Sequence, residues 1–394
     1  MPAVAAFIRK TPVPSLLSYF EHTGIDLPIA VNWNAPDTDV VRSLLQAVDK
    51  MSDEARSRVK LDAERVNAMA DEAGQVALYS VIDDRAVLDD LVNGHARALW
   101  LFLNDRTRFQ RAEEARYTDE RRRGRYWDGF VSMPGRELNL DAASLEAFTT
   151  ALRTRFAARN VHVDIFERTR SASDGSSYEI VQLTIYREGL PDDRFAFNNA
   201  GELERRPYRP VFEAALTYEP ATGVIEVVAN GGESRAELAH FLTRDLLGIE
   251  FRGEKVPLRK YDLDVLLAPH EFTTDPEDGI ESVEIKLLRL VPFENNGERL
   301  TLECLRNADR TIWSMAAERF GPNDPLVGGW RATQAKLTIK LRPKGDAKRG
   351  KTIPLTISLS GCNLREQTEA EQLIGEKYLR RWGILSEVES DDAT

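Results

Sequence analysis

Apolar positions recur at helical spacing through the first 158 residues and then switch to a period of two. That change predicts a helical segment followed by one that mixes strands and helices. Residues 14–22 form a short helix with Leu16, Leu17 and Phe20 on one side, stopped at Gly24. Residues 37–51 place Val40, Val41, Leu44, Leu45 and Val48 on one face, the stripe of a helix packed on a core. Ser52 precedes Asp53 and Glu54, so its hydroxyl caps the next helix while the acids suit the positive end of the dipole. Val59, Val66 and Met69 carry that helix to Gly74, and further helices are expected over 75–82, 85–92 and 95–103. The last contains Leu99-Trp100-Leu101-Phe102-Leu103, apolar all round and therefore central. After a break at Met133-Pro134-Gly135, one more amphipathic helix covers 141–158.

From residue 160 the alternation is that of strands, over 161–166 and 178–186, joined by a turn-rich stretch at 171–177. Strands over 211–218 and 224–229 flank Pro220-Ala221-Thr222-Gly223 as a hairpin. A helix follows, with Ser234 to Glu237 spaced as a capping box and Leu238, Phe241, Leu242, Leu246 and Leu247 as its buried face before Gly248. The order strand, strand, helix recurs at the C-terminus. Alternating residues 335–341 and 353–359 are followed by a second capping box at Thr368–Glu371 and by the stripe Leu373, Ile374, Tyr378 and Trp382. Between the two lie expected strands over 258–267, 283–290 and 300–305 and a helix over 311–320. The expected fold class is α+β: a helical domain over 1–158 packed on a larger, mainly antiparallel α+β domain over 159–394, with a sub-boundary near 250.

Bulk properties narrow the function classes. Hydrophobic content of 42% and charged content of 30% describe an ordinary folded protein. A formal net charge of -11 argues against non-specific coating of nucleic acid, although a local basic patch would suffice for phosphate contacts. No apolar run approaches the ~20 residues needed to span a bilayer. The N-terminus has apolar residues before Arg9-Lys10, the reverse of a secretory signal, so a cytoplasmic location is expected. Cys304 and Cys362 are too few for a disulfide framework, and the five histidines form no helical metal-binding pair. Arginine outnumbers lysine 41 to 12, a bias associated with GC-rich bacterial genomes that says little about function.

Four features invite a chemical reading. Gly345 to Thr352 matches the phosphate-cradling signature G-x-x-x-x-G-K-T, but that signature needs a buried strand before it and a helix after it. Here both flanks alternate as antiparallel strands, so the run reads as a hairpin tip. That tip carries Arg342, Lys344, Lys348, Arg349 and Lys351, positive charge that suits a phosphate backbone or an acidic partner. Residues 105–130 hold eight arginines, no lysine and five aromatics. Arginine stacks on rings and grips carboxylate or phosphate bidentately, so Arg116, Arg121, Arg122, Arg123, Arg125, Tyr126 and Trp127 form a candidate partner surface. The plainer account pairs Asp119 with Arg122 and Arg123, and Arg111 with Glu114, along one solvated helix. Finally, Asp264 followed by Glu284 and Lys286 has the outline of a nuclease centre, in which two carboxylates hold Mg or Mn and activate water.

No catalytic triad and no dinucleotide fingerprint are present in the sequence. The leading expectation is a non-enzymatic cytosolic adaptor or regulatory subunit of a bacterial assembly, with a protein partner and no cofactor. The alternatives are a metal-dependent nuclease built on Asp264, Glu284 and Lys286, and a nucleic-acid-binding protein without catalysis.

Overall fold

The computed structural model describes residues 2–122, 126–171, 177–198, 200–230, 232–256, 260–293, 297–304, 310–343, 349–359 and 361–386. The chain forms two compact units, Met1–Arg170 with Ser177–Lys255, and Ser171–Ser176 with Val256–Thr394. The class is α+β. Residue 158 marks a change from helix to strand inside the first unit, because strands that follow it pack on helices that precede it.

The first unit opens with α1 (Pro2–Lys10), α2 (Val13–Thr23), α3 (Asp37–Asp49), α4 (Asp53–Met69), α5 (Glu72–Ser80), α6 (Ala86–Asp89), α7 (Gly94–Asn104) and α8 (Arg106–Arg121). Their boundaries follow local chemistry. Ser52 Oγ accepts from the Ala55 amide at 3.3 Å to start α4, and Gly24 closes α2 with φ 61, a left-handed conformation that a Cβ disfavours. The apolar stripes converge as expected: Leu16, Tyr19, Leu44, Val48, Leu99 and Phe102 are buried in one core. Phe102 meets Phe109 edge-on at 5.1 Å. The Tyr19 hydroxyl donates to Asp62 at 2.9 Å, which gives the buried Asp62 carboxylate a partner.

A sheet follows, with strands β1 (Trp127–Val131), β2 (Val161–Ser171), β3 (Ser177–Glu188), β4 (Asp192–Phe197), β5 (Leu203–Tyr208), β6 (Val211–Glu219) and β7 (Val224–Val228). The five-stranded order is β1-β7-β6-β3-β2, while β4 and β5 pair only with each other. β1 corrects the all-helical reading of the first 158 residues. It is short, lies between two helices, and becomes a strand by pairing with β7, a partner a hundred residues away. One face of the sheet is apolar. Leu183, Leu216, Tyr218, Ile225 and Val227 pack there with Phe148 and Leu152 of α9 (Ala142–Phe156) and Leu238 of α10 (Gly232–Phe241). The capping box expected at Ser234 does not form, since α10 has already begun at Gly232. The other face carries Arg168, Arg170, Gln182, Thr184, Thr217 and Glu226, and all six are buried.

The second unit holds β8 (Lys260–Tyr261), β9 (Ile280–Pro292), β10 (Leu300–Glu303), α11 (Ile312–Phe320), β11 (Trp330–Leu341), β12 (Thr352–Ser358), β13 (Gly361–Cys362), α12 (Glu369–Arg381) and β14 (Leu385–Ser386). Its sheet order is β10-β9-β11-β12-β13, and the strand pairings are antiparallel. The capping box at Thr368 and Glu371 starts α12, which lays Tyr378, Leu379 and the following Trp382 into the core. Of the strand expected over 258–267, the described residues form only Lys260–Tyr261. Asp262 Oδ1 accepts from the Asp264 amide at 2.9 Å, which bends the chain into a 3-10 turn over Asp264–Leu266 and buries Leu263 and Leu266 from a loop.

Candidate interaction surface

Three of the sequence-derived sites are placed by these elements. Lys340 pairs with Thr352 across the β11–β12 ladder, so Gly350-Lys351-Thr352 sits at the start of an antiparallel strand and no helix begins there. Lys351 forms an ion pair with Glu371 at 3.2 Å. Arg342 and Arg349 flank the tip, while Lys344 and Lys348 lie outside the described residues. In the nuclease constellation, Asp264 Oδ1 accepts from the Ala332 amide at 2.7 Å, whereas Glu284 stands opposite Thr338. Positions 332 and 338 are six residues apart on one strand, about 20 Å at the strand rise of ~3.3 Å per residue. Asp264 and Glu284 therefore do not converge, and Lys286 is paired with Glu284 itself.

The arginine-rich segment is largely spent inside the fold. Arg116 grips Asp71 with two bonds of 2.8 and 2.9 Å and also binds Glu120 at 2.8 Å, tying α8 to the start of α5. Arg121 donates to the Tyr117 hydroxyl at 2.6 Å and stacks on its ring. Arg123 and Arg125 lie outside the described residues, Tyr126 is partly exposed, and Trp127 is half-buried in β1. Among the described residues the bonds of Asp119 and Arg111 run to the sheet rather than along the helix. Asp119 reaches across to Arg168 with bonds of 2.9 and 2.8 Å and to Arg170 at 2.8 Å, and Arg111 binds Asp164 of β2. Arg170 and Arg122 then share Glu226, at 2.6 and 2.7 Å. These guanidiniums hold the Asp119 carboxyl far below its ordinary range and Glu226 down at about 2, although burial alone would raise both. The result is an ionic layer that fastens α8 to the polar face of the sheet.

The same face carries a second, differently poised cluster. Tyr186 of β3 and Glu213 of β6 are register partners and so share a face. The Tyr186 hydroxyl donates to Glu114 Oε1 of α8 at 2.7 Å, and Gln110 donates to the same oxygen at 3.1 Å. Glu114 Oε2 is buried with no hydrogen-bond partner among the described residues. Burial and the neighbouring Glu114 raise the Glu213 carboxyl to about 7, with Arg121 opposing.

Beyond this cluster β3 and β6 continue as an arm. Arg187 and Glu188 pair with Phe212 and Val211, and the chain then turns outward through Gly189 and Pro191 on one side and Pro210 on the other. The root is packed. Arg187 stacks between Phe156 at 4.3 Å and Phe212 at 4.8 Å, and Arg209 donates to the Gly189 carbonyl at 3.1 Å. At Gly189 a Cβ would stand 2.5 Å from the Phe212 ring, so any larger residue would have to displace that ring. The far end is a built turn. Asn198 Oδ1 accepts from the Ala200 and Glu202 amides at 2.9 and 3.0 Å, and Gly201 takes φ 80.

Register puts Phe195, Phe197, Leu203 and Arg205 on one face of the arm, opposite Arg194, Glu204, Arg206 and Tyr208. Phe195, Phe197 and Leu203 are 64%, 71% and 60% exposed. The Arg205 guanidinium lies 5.0 Å from the Phe195 ring centroid on that face. Leu190, Val211 and Phe212 add further exposed apolar area at the root. Nothing in the sequence pattern singled out the arm, because Phe195, Phe197 and Leu203 fall at alternate positions as in any half-buried strand.

No protein-family model matches the chain, and no curated protein is similar to it in sequence. Among the described residues, no helix is long and apolar enough to cross a membrane.

Proposed function

We propose that this protein is a non-enzymatic adaptor or regulatory subunit that docks a partner protein through the β4–β5 arm. The observation that carries this reading is the apolar face of Phe195, Phe197 and Leu203, held out on a hairpin whose root is hydrogen-bonded and whose Asn198 side chain bonds the Ala200 and Glu202 amides. Exposed aromatic clusters on a stiff support are typical of binding surfaces, because little side-chain entropy is lost on docking. The arm also suggests how the partner binds. A two-stranded sheet has two open edges, and Pro207 removes a backbone donor from the β5 edge, whereas β4 contains no proline. An extended partner segment with apolar side chains at alternate positions could add to β4 and place those side chains against Phe195 and Phe197. The nuclease alternative loses its geometric basis with the separation of Asp264 and Glu284.

The test compares wild type with a Phe195→Ser, Phe197→Ser, Leu203→Ser variant. A partner enriched on the wild-type protein is purified and titrated against both by calorimetry. Expected is direct binding that weakens at least tenfold in the variant, with the melting temperature unchanged because the three residues are exposed. A partner that binds both proteins equally would remove the arm from the interface.

A further inference from the structure

We propose that Arg187, at the root of the arm, binds a carboxylate of the docked partner, the side chain of an aspartate or glutamate in the segment that the arm receives. The inference rests on the arm being the docking element, and it names one further feature of what docks there.

Arg187 is held between two rings. Its guanidinium lies 4.3 Å from the ring centroid of Phe156, the last residue of α9, and 4.8 Å from that of Phe212, its register partner on β6. Stacking on both sides fixes the guanidinium plane and takes water from its faces, while the N–H donors lie along its edge. Among the described residues those donors make no hydrogen bond and no ion pair. Burial holds the group below the ordinary arginine pKa, and no neighbouring acid raises it.

Elsewhere in the same unit, ring-stacked arginines are completed by an acid. Arg65 stacks on Phe102 and Phe109 at 5.4 and 5.3 Å and grips Glu113 with bonds of 2.8 and 2.6 Å. Arg111 stacks on Phe166 at 5.3 Å and grips Asp164 with bonds of 3.2 and 3.1 Å. At both, rings and a bidentate carboxylate go together. At Arg187 the rings are in place, and the acids nearby are engaged elsewhere. Glu237 is bonded to Arg155 at 2.6 Å. Glu188 is the next residue along β3 and so stands on its other face, where it accepts from Asn160 at 3.0 Å.

Position ties this donor set to the arm. Arg187 lies two residues before Gly189 and Phe212 two after Pro210, where the strands leave the sheet. Leu190, Val211 and Phe212 are exposed, so the apolar area of the arm continues to the rim of the Arg187 site. A partner that covers them carries its own side chains over the guanidinium. Side chains stand off a sheet face, so the group that reaches Arg187 is a side-chain carboxylate rather than a chain end lying in the plane of the strands. The pairing of Arg65 and Arg111 favours a carboxylate over a phosphate, and a net charge of -11 opposes a dianion. A half-buried, stacked arginine beside an apolar surface has the make-up of a binding hot spot.

The site is tested first with acetate, which mimics the side-chain carboxylate and makes no use of the apolar face. The Arg187 Nε–H resonance, assigned by its loss in Arg187→Met or, if that variant folds poorly, in Arg187→Lys, is followed against acetate at constant ionic strength in chloride. Expected is a saturable shift with a midpoint at least tenfold below that of the exposed Arg58. The phosphate midpoint should be no lower than that of acetate, and the Phe195→Ser, Phe197→Ser, Leu203→Ser variant should titrate as wild type does. The partner class is tested with peptides of alternating valine and serine that carry one glutamate at each position in turn, each matched by a glutamine peptide. At one position or more the glutamate peptide should bind wild type at least tenfold more tightly than its match, and Arg187→Met should abolish that preference, or Arg187→Lys reduce it below threefold. An Arg187 midpoint equal to that of Arg58, a phosphate midpoint below that of acetate, glutamate and glutamine peptides that bind alike, or a preference that survives in the Arg187 variants would each overturn the proposal. Because acetate binding does not use the apolar face, its failure and a failure of the arm to bind a partner are separate results.

Discussion

Glu226→Gln removes a single charge from the layer between α8 and the sheet and changes almost no volume. Glu226 accepts from Arg122 on Oε1 and from Arg170 and Thr217 on Oε2, the last at 3.1 Å. Its side chain is 7% exposed and that of Arg170 is 8% exposed. In the wild type, Arg122, Arg168 and Arg170 face Asp119 and Glu226; in the variant the three guanidiniums face Asp119 alone. Breaking a buried ion pair from one side costs about 3–5 kcal/mol, because the orphaned charge keeps its desolvation penalty and loses its compensation. Arg122 is about one-third exposed and can turn toward water, so the lower end, about 3 kcal/mol, is expected. A chain of two units need not unfold in one step, so the loss is best read from native-state hydrogen exchange of β6 and β7 against urea. Arg170→Gln completes a double-mutant cycle, and the pair should cost at least about 1.5 kcal/mol less than the sum of the singles. A loss below about 1 kcal/mol for Glu226→Gln, or strict additivity, would show that the layer is solvated and does not fasten α8.

Two further outcomes test the second unit. Trp382 stacks on Tyr378 at 5.4 Å, meets Phe272 edge-on at 4.8 Å and donates to the Thr273 carbonyl at 3.0 Å, so Trp382→Ala should destabilise that unit by about 3–5 kcal/mol in thermal unfolding. Lys351 lies at the foot of an antiparallel hairpin, so calorimetric titration with Mg-nucleotide should give no heat for wild type or for Lys351→Ala; a heat lost in the variant would restore the phosphate-loop reading.

The helices were legible because their signals are local. Ser52 and Thr368 cap where the sequence places caps, and the stripe Val40, Leu44, Val48 is buried as its spacing requires. What could not be read depends on distant partners. β1 is a strand only because Trp127 to Val131 meet Val224 to Val228. Asp119 has suitable arginines three and four residues ahead, yet it binds Arg168 and Arg170, some fifty residues away. Asp264 appeared strand-borne by alternation, but the side chain of Asp262 captures its amide and bends the chain. In each case a long-range or side-chain contact outweighed a local preference worth only tenths of a kcal/mol.

The polar face of the sheet shows the same limit with a larger consequence. Gln182, Thr184 and Thr217 alternate with apolar neighbours, which ordinarily means that one face is wet and the other dry. Here α8 covers the polar face, and the sheet is dry on both sides. An apolar α8 would hold as well or better, since buried ion pairs rarely exceed hydrophobic packing in net stability. A charged layer adds orientation: bidentate arginine bonds at Asp119 and the shared Glu226 define one angle and one register for α8. They also explain why the pair Glu114 and Glu213 stands out. Further along the same helix and the same face, no ion pair joins Glu114 or Glu213 to a guanidinium among the described residues, Arg121 acting on Glu213 without a bond, and these strands are the two that continue into the exposed arm. Fastened to β2 by Arg111 and Asp164 and to the sheet again by Asp119 and Arg122 at its C-terminal end, α8 gives the arm a fixed base.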